Sequence, residues 1–183
     1  MKKHTIYILL TYSGSALSKV INKYTKEPYS HVSIAFDEEL KELYSFGRLR
    51  PRNPIFAGFV REDIENGTYA RFPQTTCALY SLEINNIQYR RLMKELEKFK
   101  KDGDKYGYNL IGLVGVMVNY PIERKYNYFC SQFVSSLLNN SGIKLIDKNT
   151  ALISPRDFRE CKELNLIYEG NLQNYNLSQS YIY

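Results

Sequence analysis

The run from Phe129 to Leu138 tolerates only one kind of folded environment. Phe129, Phe133 and Leu137 recur every four residues, and Val134 and Leu138 widen the stripe. That spacing predicts an amphipathic helix whose apolar side must be packed against other apolar surface. Asn127 is placed to cap its start, and Asn139, Asn140, Ser141 and Gly142 supply the chemistry of a helix end. Cys130 therefore falls in the first turn. Unpaired backbone N–H groups and the helix dipole favour an anion there, so a thiol in that turn ionises more readily and gains nucleophilicity. Free cysteine is also among the most buried residue types, and position alone leaves the structural and the reactive readings both open.

His31 shifts the balance toward reactivity. The chain has only two histidines, and His4 lies near the terminus. His31 opens a β-branched and aromatic run, residues 31–36, that alternates like a half-buried strand, with Pro28 and Ser30 at its approach. A histidine at a strand start can present its ring across the sheet edge to a helix N-terminus. A thiol–imidazole pair needs that geometry, with the base within hydrogen-bond reach of the sulfur.

The remaining pattern predicts an α+β domain in which an antiparallel sheet packs against helices. Residues 5–11 and 77–84 read as strands, and 31–36 with 42–46 as a hairpin. Ser15 opens a helix with Leu17, Val20, Ile21 and Tyr24 on one face, and a second helix follows Asn85, facing inward through Tyr89, Leu92, Met93, Leu96 and Phe99. Residues 110–118 are the most apolar stretch and read as a buried helix or turn of the core. The other reading is a hydrophobic lip that touches a membrane. Residues 47–74 contain Pro51, Pro54, Gly58, Gly67 and Pro73. They read as an irregular segment, either a lid or binding loop or a decorated loop with a short strand near 69–72. Ser154, Pro155 and Asp157 open a last short helix, and 164–168 a closing strand. The expected organisation is one domain over 1–170 and a polar, Tyr-rich arm over 171–183.

Composition removes several function classes. The 183-residue chain is 44% hydrophobic and 24% charged, which suits one folded domain. Cys77, Cys130 and Cys161 lack C-x-x-C spacing, and with two histidines no metal site or cofactor is expected. The apolar run after Lys2 and Lys3 has no cleavage pattern, and no stretch approaches the ~20 residues of a bilayer span. A cytoplasmic protein without a transmembrane segment is expected, where a lone thiol stays reduced. The net charge is +6. The basic helix after Asn85 reads as a solvated face. No nucleic-acid motif accompanies the 17 tyrosines, so nucleic acid is not expected as a partner. Contact with an anionic lipid surface or an acidic substrate fits the charge better.

Five segments together resemble the permuted papain-like hydrolases. They run from Ser30 to Ala35, Leu43 to Gly47, Tyr106 to Leu113, Tyr128 to Val134, and Ser154 to Phe158. That superfamily includes the YiiX-like proteins and the NlpC-type cell-wall peptidases, with lecithin:retinol acyltransferase as a distant relative. In its permuted branch the histidine strand precedes the cysteine helix, as here, and the resemblance extends from Ile6 to about Leu164. It implies a papain-like, NlpC-type fold and a thiol hydrolase or acyltransferase acting on a peptide, amide or lipid-like acyl substrate. Cys130 would be the nucleophile and His31 the base. Such families often add a third polar residue on the strand after the histidine, and here that position is Ser45. A serine can accept from the ring N–H but brings no charge, and alternation puts the nearby Glu42 on the opposite face. The resemblance also implies that Tyr106 donates to the developing oxyanion beside the Cys130 backbone N–H. Without an acidic orienter, a catalytically degenerate binding module of the same fold is the alternative.

Overall fold

A computed structural model describes residues 2–50 and 53–175, with no side-chain description at 48–56. The strands are β1 (Lys3–Tyr12), β2 (His31–Ala35), β3 (Leu43–Arg50), β4 (Asn53–Glu62), β5 (Thr76–Asn85), β6 (Gly107–Tyr108), β7 (Asn127–Tyr128) and β8 (Asn165–Asn171). The helices are α1 (Ala16–Thr25), α2 (Gly67–Arg71), α3 (Asn86–Lys101), α4 (Leu110–Met117), α5 (Cys130–Asn140) and α6 (Pro155–Arg159). Among the described residues, six strands form one sheet in the order β4-β3-β2-β1-β5-β8, every neighbouring pair antiparallel. The fold class is α+β, and β6 and β7 make a separate small parallel pair.

Strand alternation gives the sheet two apolar faces. Ile6, Ile8 and Leu10 of β1, Val32 and Ile34 of β2, and Phe46 of β3 meet Leu92, Leu96 and Phe99 of α3 and Phe133, Val134 and Leu137 of α5. All of these side chains are buried, at about 1.5–3 kcal/mol for each fully buried large apolar group. The opposite face holds a smaller cluster of Leu9, Ala35, Leu43, Leu79, Tyr69, Leu172 and Tyr175.

Asn85 and Gln88 form a capping box at the start of α3, and Ser154 and Asp157 form another at α6. Ser15 caps α1 as expected. The N-cap of α5 is Phe129, not Asn127. Asn127 pairs in β7, and its amide donates to the carbonyl of Lys125 at 2.8 Å.

Three further expectations need correction. Residues 47–74 are mostly regular: β3 continues to Arg50, β4 returns to Glu62, and residues 67–71 form helix α2 in place of a strand. Residues 171–175 are not a free arm, because Leu172 and Tyr175 are buried in the second cluster; residues 176–183 lie outside the described residues. The third concerns α1, whose predicted face buries Ile21 but leaves one edge exposed, and α4, which is not the buried helix expected and matches the exposed lip. Val20 and Tyr24 of α1, and Leu110, Ile111 and Val114 of α4, remain open to water.

Candidate active site

The site lies where β2 begins and α5 starts. Helix α5 packs across β2 and β3, so its first turn sits beside the strand-initial His31. Side chains alternate along the sheet: Val32, Ile34, Tyr44 and Phe46 join the α5 core, while His31, Ser33, Ser45 and Glu62 share the other face. His31 stands at the strand's end, where its ring can address both this polar face and the helix N-terminus.

Two neighbours act on the ring. Nε2 lies 2.8 Å from Oε1 of Glu62. The Cys130 side chain lies close enough to the ring for each group to stabilise the other's charged form. The backbone amides of Val32 and Ser131 beside the sulfur also favour its thiolate form.

Glu62 is held on every side. Ser45 Oγ donates to Oε1 at 2.8 Å; Ser33 Oγ donates to Oε2 at 2.5 Å, and the buried Tyr69 hydroxyl donates to the same oxygen at 3.0 Å. These contacts hold the carboxylate anionic although it is largely buried. Burial by itself would raise its pKa, but His31 and the hydroxyl donors outweigh that and lower it. Burial likewise disfavours the charged imidazole, yet Glu62 and Cys130 beside it raise His31 to about 10. Burial disfavours the Cys130 thiolate too, but His31 outweighs it and the pKa is lowered. Each charge is stabilised by its neighbour, the pattern of a thiolate–imidazolium pair backed by a carboxylate. Cys77 is the contrast. It is buried without a cationic neighbour, and its thiol is pushed up to about 12.

Ser45 hydrogen-bonds Glu62, and Glu62 in turn bonds the His31 ring. Glu42 lies on the other face, bonded by Tyr44 and ion-paired with Arg61, as alternation predicts. Glu62 escaped the sequence reading because Pro51, Pro54 and Gly58 masked β4. The available signal was the pairing of a strand over 53–62 with β3: Ser45 faces Val60, and Glu62, two residues on, returns to the same side. Gly47 completes the pocket. A Cβ there would lie 3.4 Å from Glu62 Oε1 and 3.6 Å from His31 Cε1, so glycine allows the close approach.

Tyr106 packs in an aromatic cluster with Phe99, Phe46, Tyr126 and Tyr128, its ring centroid 4.6 Å from that of Phe99. Tyr108, not Tyr106, lines the adjacent cavity. That cavity, about 540 Å³, is walled by His31, Glu62, Phe46 and Tyr69 on the sheet side and by Leu17, Ile21 and Leu110 from α1 and α4. Cys130 is only 3% exposed and is not part of the wall.

No protein-family model matches the sequence, and no curated protein matches it. A search of solved structures finds the crystal structure of the metalloprotein YiiX from Escherichia coli O157:H7, with a TM-score of 0.58 and 15% sequence identity. The match covers 91% of this chain and 97% of that one. At that identity the likeness is one of fold, and the fold is YiiX-like.

Proposed function

We propose that this chain is a thiol-dependent hydrolase or acyltransferase in which Cys130 is the nucleophile, His31 the acid and base, and Glu62 the group that orients and charges the ring. One observation carries the reading. A buried carboxylate bonds one imidazole beside a helix-initial cysteine, and each of the three groups has its charged form stabilised by the next.

The thiolate attacks an amide, ester or thioester carbonyl, and the α5 N-terminus faces the negative charge that develops on oxygen. The His31 imidazolium gives its proton to the departing amine, alcohol or thiol, which leaves a Cys130 thioester. Neutral His31 then takes a proton from water or a second acceptor, whose attack releases the acyl group and restores the pair. Ser33, Ser45 and Tyr69 are positioning residues that act through Glu62. A binding module is what the lack of an acidic orienter would favour; the Glu62 carboxylate beside the ring supports chemistry instead.

YiiX is described as a metalloprotein. The residues at this site do not fit a metal: His31 Nε2 and both Glu62 oxygens are committed to protein hydrogen bonds. Among the described residues no group of three or more His, Cys, Asp or Glu side chains is arranged to hold a metal ion. No step of this mechanism passes through one.

The test uses p-nitrophenyl acetate and peptide mass mapping. A burst of roughly one equivalent of nitrophenolate, with the acetyl group on Cys130, is expected. Cys130→Ser should abolish the burst and His31→Asn should suppress it. Acetylation spread evenly over Cys77, Cys130 and Cys161 would overturn the assignment.

A further inference from the structure

Helix α4 is built inside out. Residues 109–122 carry no charge, yet the helix turns its glycines toward the protein and its large side chains toward water. Gly112 and Gly115 are buried, while Leu110, Ile111, Val114 and the following Val118 are more than half exposed, at 57%, 53%, 52% and 63%. An amphipathic surface helix does the reverse.

The pose is fixed by close packing. A Cβ on Gly112 would collide with the Asn109 side chain, and one on Gly115 would lie 2.5 Å from the Tyr120 carbonyl, so the helix cannot roll another residue inward. The buried Asn109 locks it further. Its side chain accepts from the Gly112 N–H at 2.9 Å and donates to the Ile122 carbonyl at 2.9 Å.

Helix α1 continues the same surface. The Tyr24 hydroxyl donates to the Met117 carbonyl at 3.1 Å, and Tyr24 and Val20 are both exposed. Leu17 and Ile21 of α1 and Leu110 of α4 also line the cavity that holds His31, so the exposed lip borders the mouth of the candidate active site.

Charge selects the occupant. Neither α1 nor α4 contains an acidic residue, whereas exposed Lys19, Lys23 and Lys26 flank Val20 and Tyr24, and Arg124 and Lys125 follow α4 next to a single Glu123. A contiguous apolar lip with tyrosines and a cationic rim fits the boundary of an anionic bilayer. Two copies meeting through this face would bring like-charged rims together. We propose that the α1–α4 lip docks on an anionic lipid surface, which turns the mouth of the His31 cavity toward the membrane. The proposal does not depend on the chemistry assigned to Cys130.

The test is co-sedimentation of the full chain with phosphatidylcholine vesicles, with and without about 30 mol% phosphatidylserine. Anionic vesicles should bind it, and binding should fall with salt. The Ile111→Asp/Val114→Asp chain should lose roughly tenfold or more of that partition while keeping its circular dichroism, since both side chains face water. Lys19→Glu/Lys23→Glu should lose a similar factor on anionic vesicles. Cys130→Ser should bind like the unaltered chain, which separates this outcome from failure of the catalytic reading. The chain lacks tryptophan, so Val118→Trp provides a single reporter whose emission should shift to the blue on anionic vesicles. Three results would each overturn the proposal: no binding to anionic vesicles, full binding by Ile111→Asp/Val114→Asp, or an unaltered chain that is dimeric while that variant is monomeric.

Discussion

Replacing Glu62 by glutamine changes one charge and almost no volume. In the unaltered chain Oε1 accepts from His31 and Ser45, and Oε2 from Ser33 and Tyr69. An amide keeps one acceptor for the ring, and the Ser33 and Tyr69 hydroxyls can rotate to accept from its NH₂, so the fold should survive. What disappears is the charge opposite the imidazolium. Two unit charges about 4 Å apart at an effective dielectric constant near 20 interact by roughly 4 kcal/mol. At about 1.4 kcal/mol per pH unit that is close to 3 units, comparable with the rise that takes His31 from 6.5 to about 10. Allowing for solvent and relaxation, Glu62→Gln should lower the His31 pKa by about 1–3 units. The thiolate then loses its cationic partner, and the neutral thiol–imidazole form gains population. The assay is iodoacetamide alkylation of Cys130 as a function of pH, followed by peptide mass mapping with Cys77 and Cys161 as internal references. The unaltered protein should alkylate Cys130 with a midpoint well below the ordinary thiol value of 9.0. Glu62→Gln should be about 10–100-fold slower near neutral pH, with its midpoint displaced upward. A variant that matches the unaltered chain within about twofold at every pH would refute the claim that Glu62 sets the ionisation.

Other consequences can be checked independently. Gly47→Ala would put a Cβ 3.3 Å from Ser45 Oγ and 3.4 Å from Glu62 Oε1, so Cys130 alkylation should slow several-fold while the thermal midpoint changes little. His31 binds its proton more tightly in the folded chain than in the unfolded one. Its contribution to stability is therefore full below about 6.5 and is lost as pH rises through about 10. Cys130, its pKa lowered from 9.0, contributes in the opposite sense, so urea titrations should be nearly flat in this pair's contribution from about 6.5 to 9 and fall only toward about 10, a fall that His31→Asn lacks. Asn109→Ala removes the α4 cap and the bonds to the Ile122 carbonyl and Gln132. It should cost about 1–3 kcal/mol and speed amide exchange over residues 110–118 before the sheet is affected.

Local periodicity made much of the fold legible. Stripes every three to four residues marked α3 and α5, and β-branched alternation marked β1, β2 and β5. The side chains in those elements are chosen for the core they face. Cys130 and His31 stood out because each begins such an element. Glu62 did not, since its role arises from register: only the pairing of β3 with β4 brings residue 62 beside residue 45, and the prolines and glycine of that hairpin broke the alternation that would have announced it. Asn127 looks like a cap in the sequence, but a two-residue strand takes its backbone into β7 and leaves the capping position to Phe129. The exposure of α4 was hidden for a different reason. Hydropathy gives the quantity of apolar surface but not its direction, and the direction is set by glycines fitted against Asn109 and the Tyr120 carbonyl.

The protonation state of His31 decides whether the proposed ion pair exists. With only His4 and His31 in the chain, long-range ¹⁵N–¹H spectra of the imidazoles can be assigned from a His4→Gln variant alone. Near pH 8 both His31 nitrogens should be protonated in the unaltered protein, and the protonated fraction should be lower in Glu62→Gln. A neutral His31 ring at that pH in the unaltered protein would contradict the ion pair on which the proposed chemistry rests.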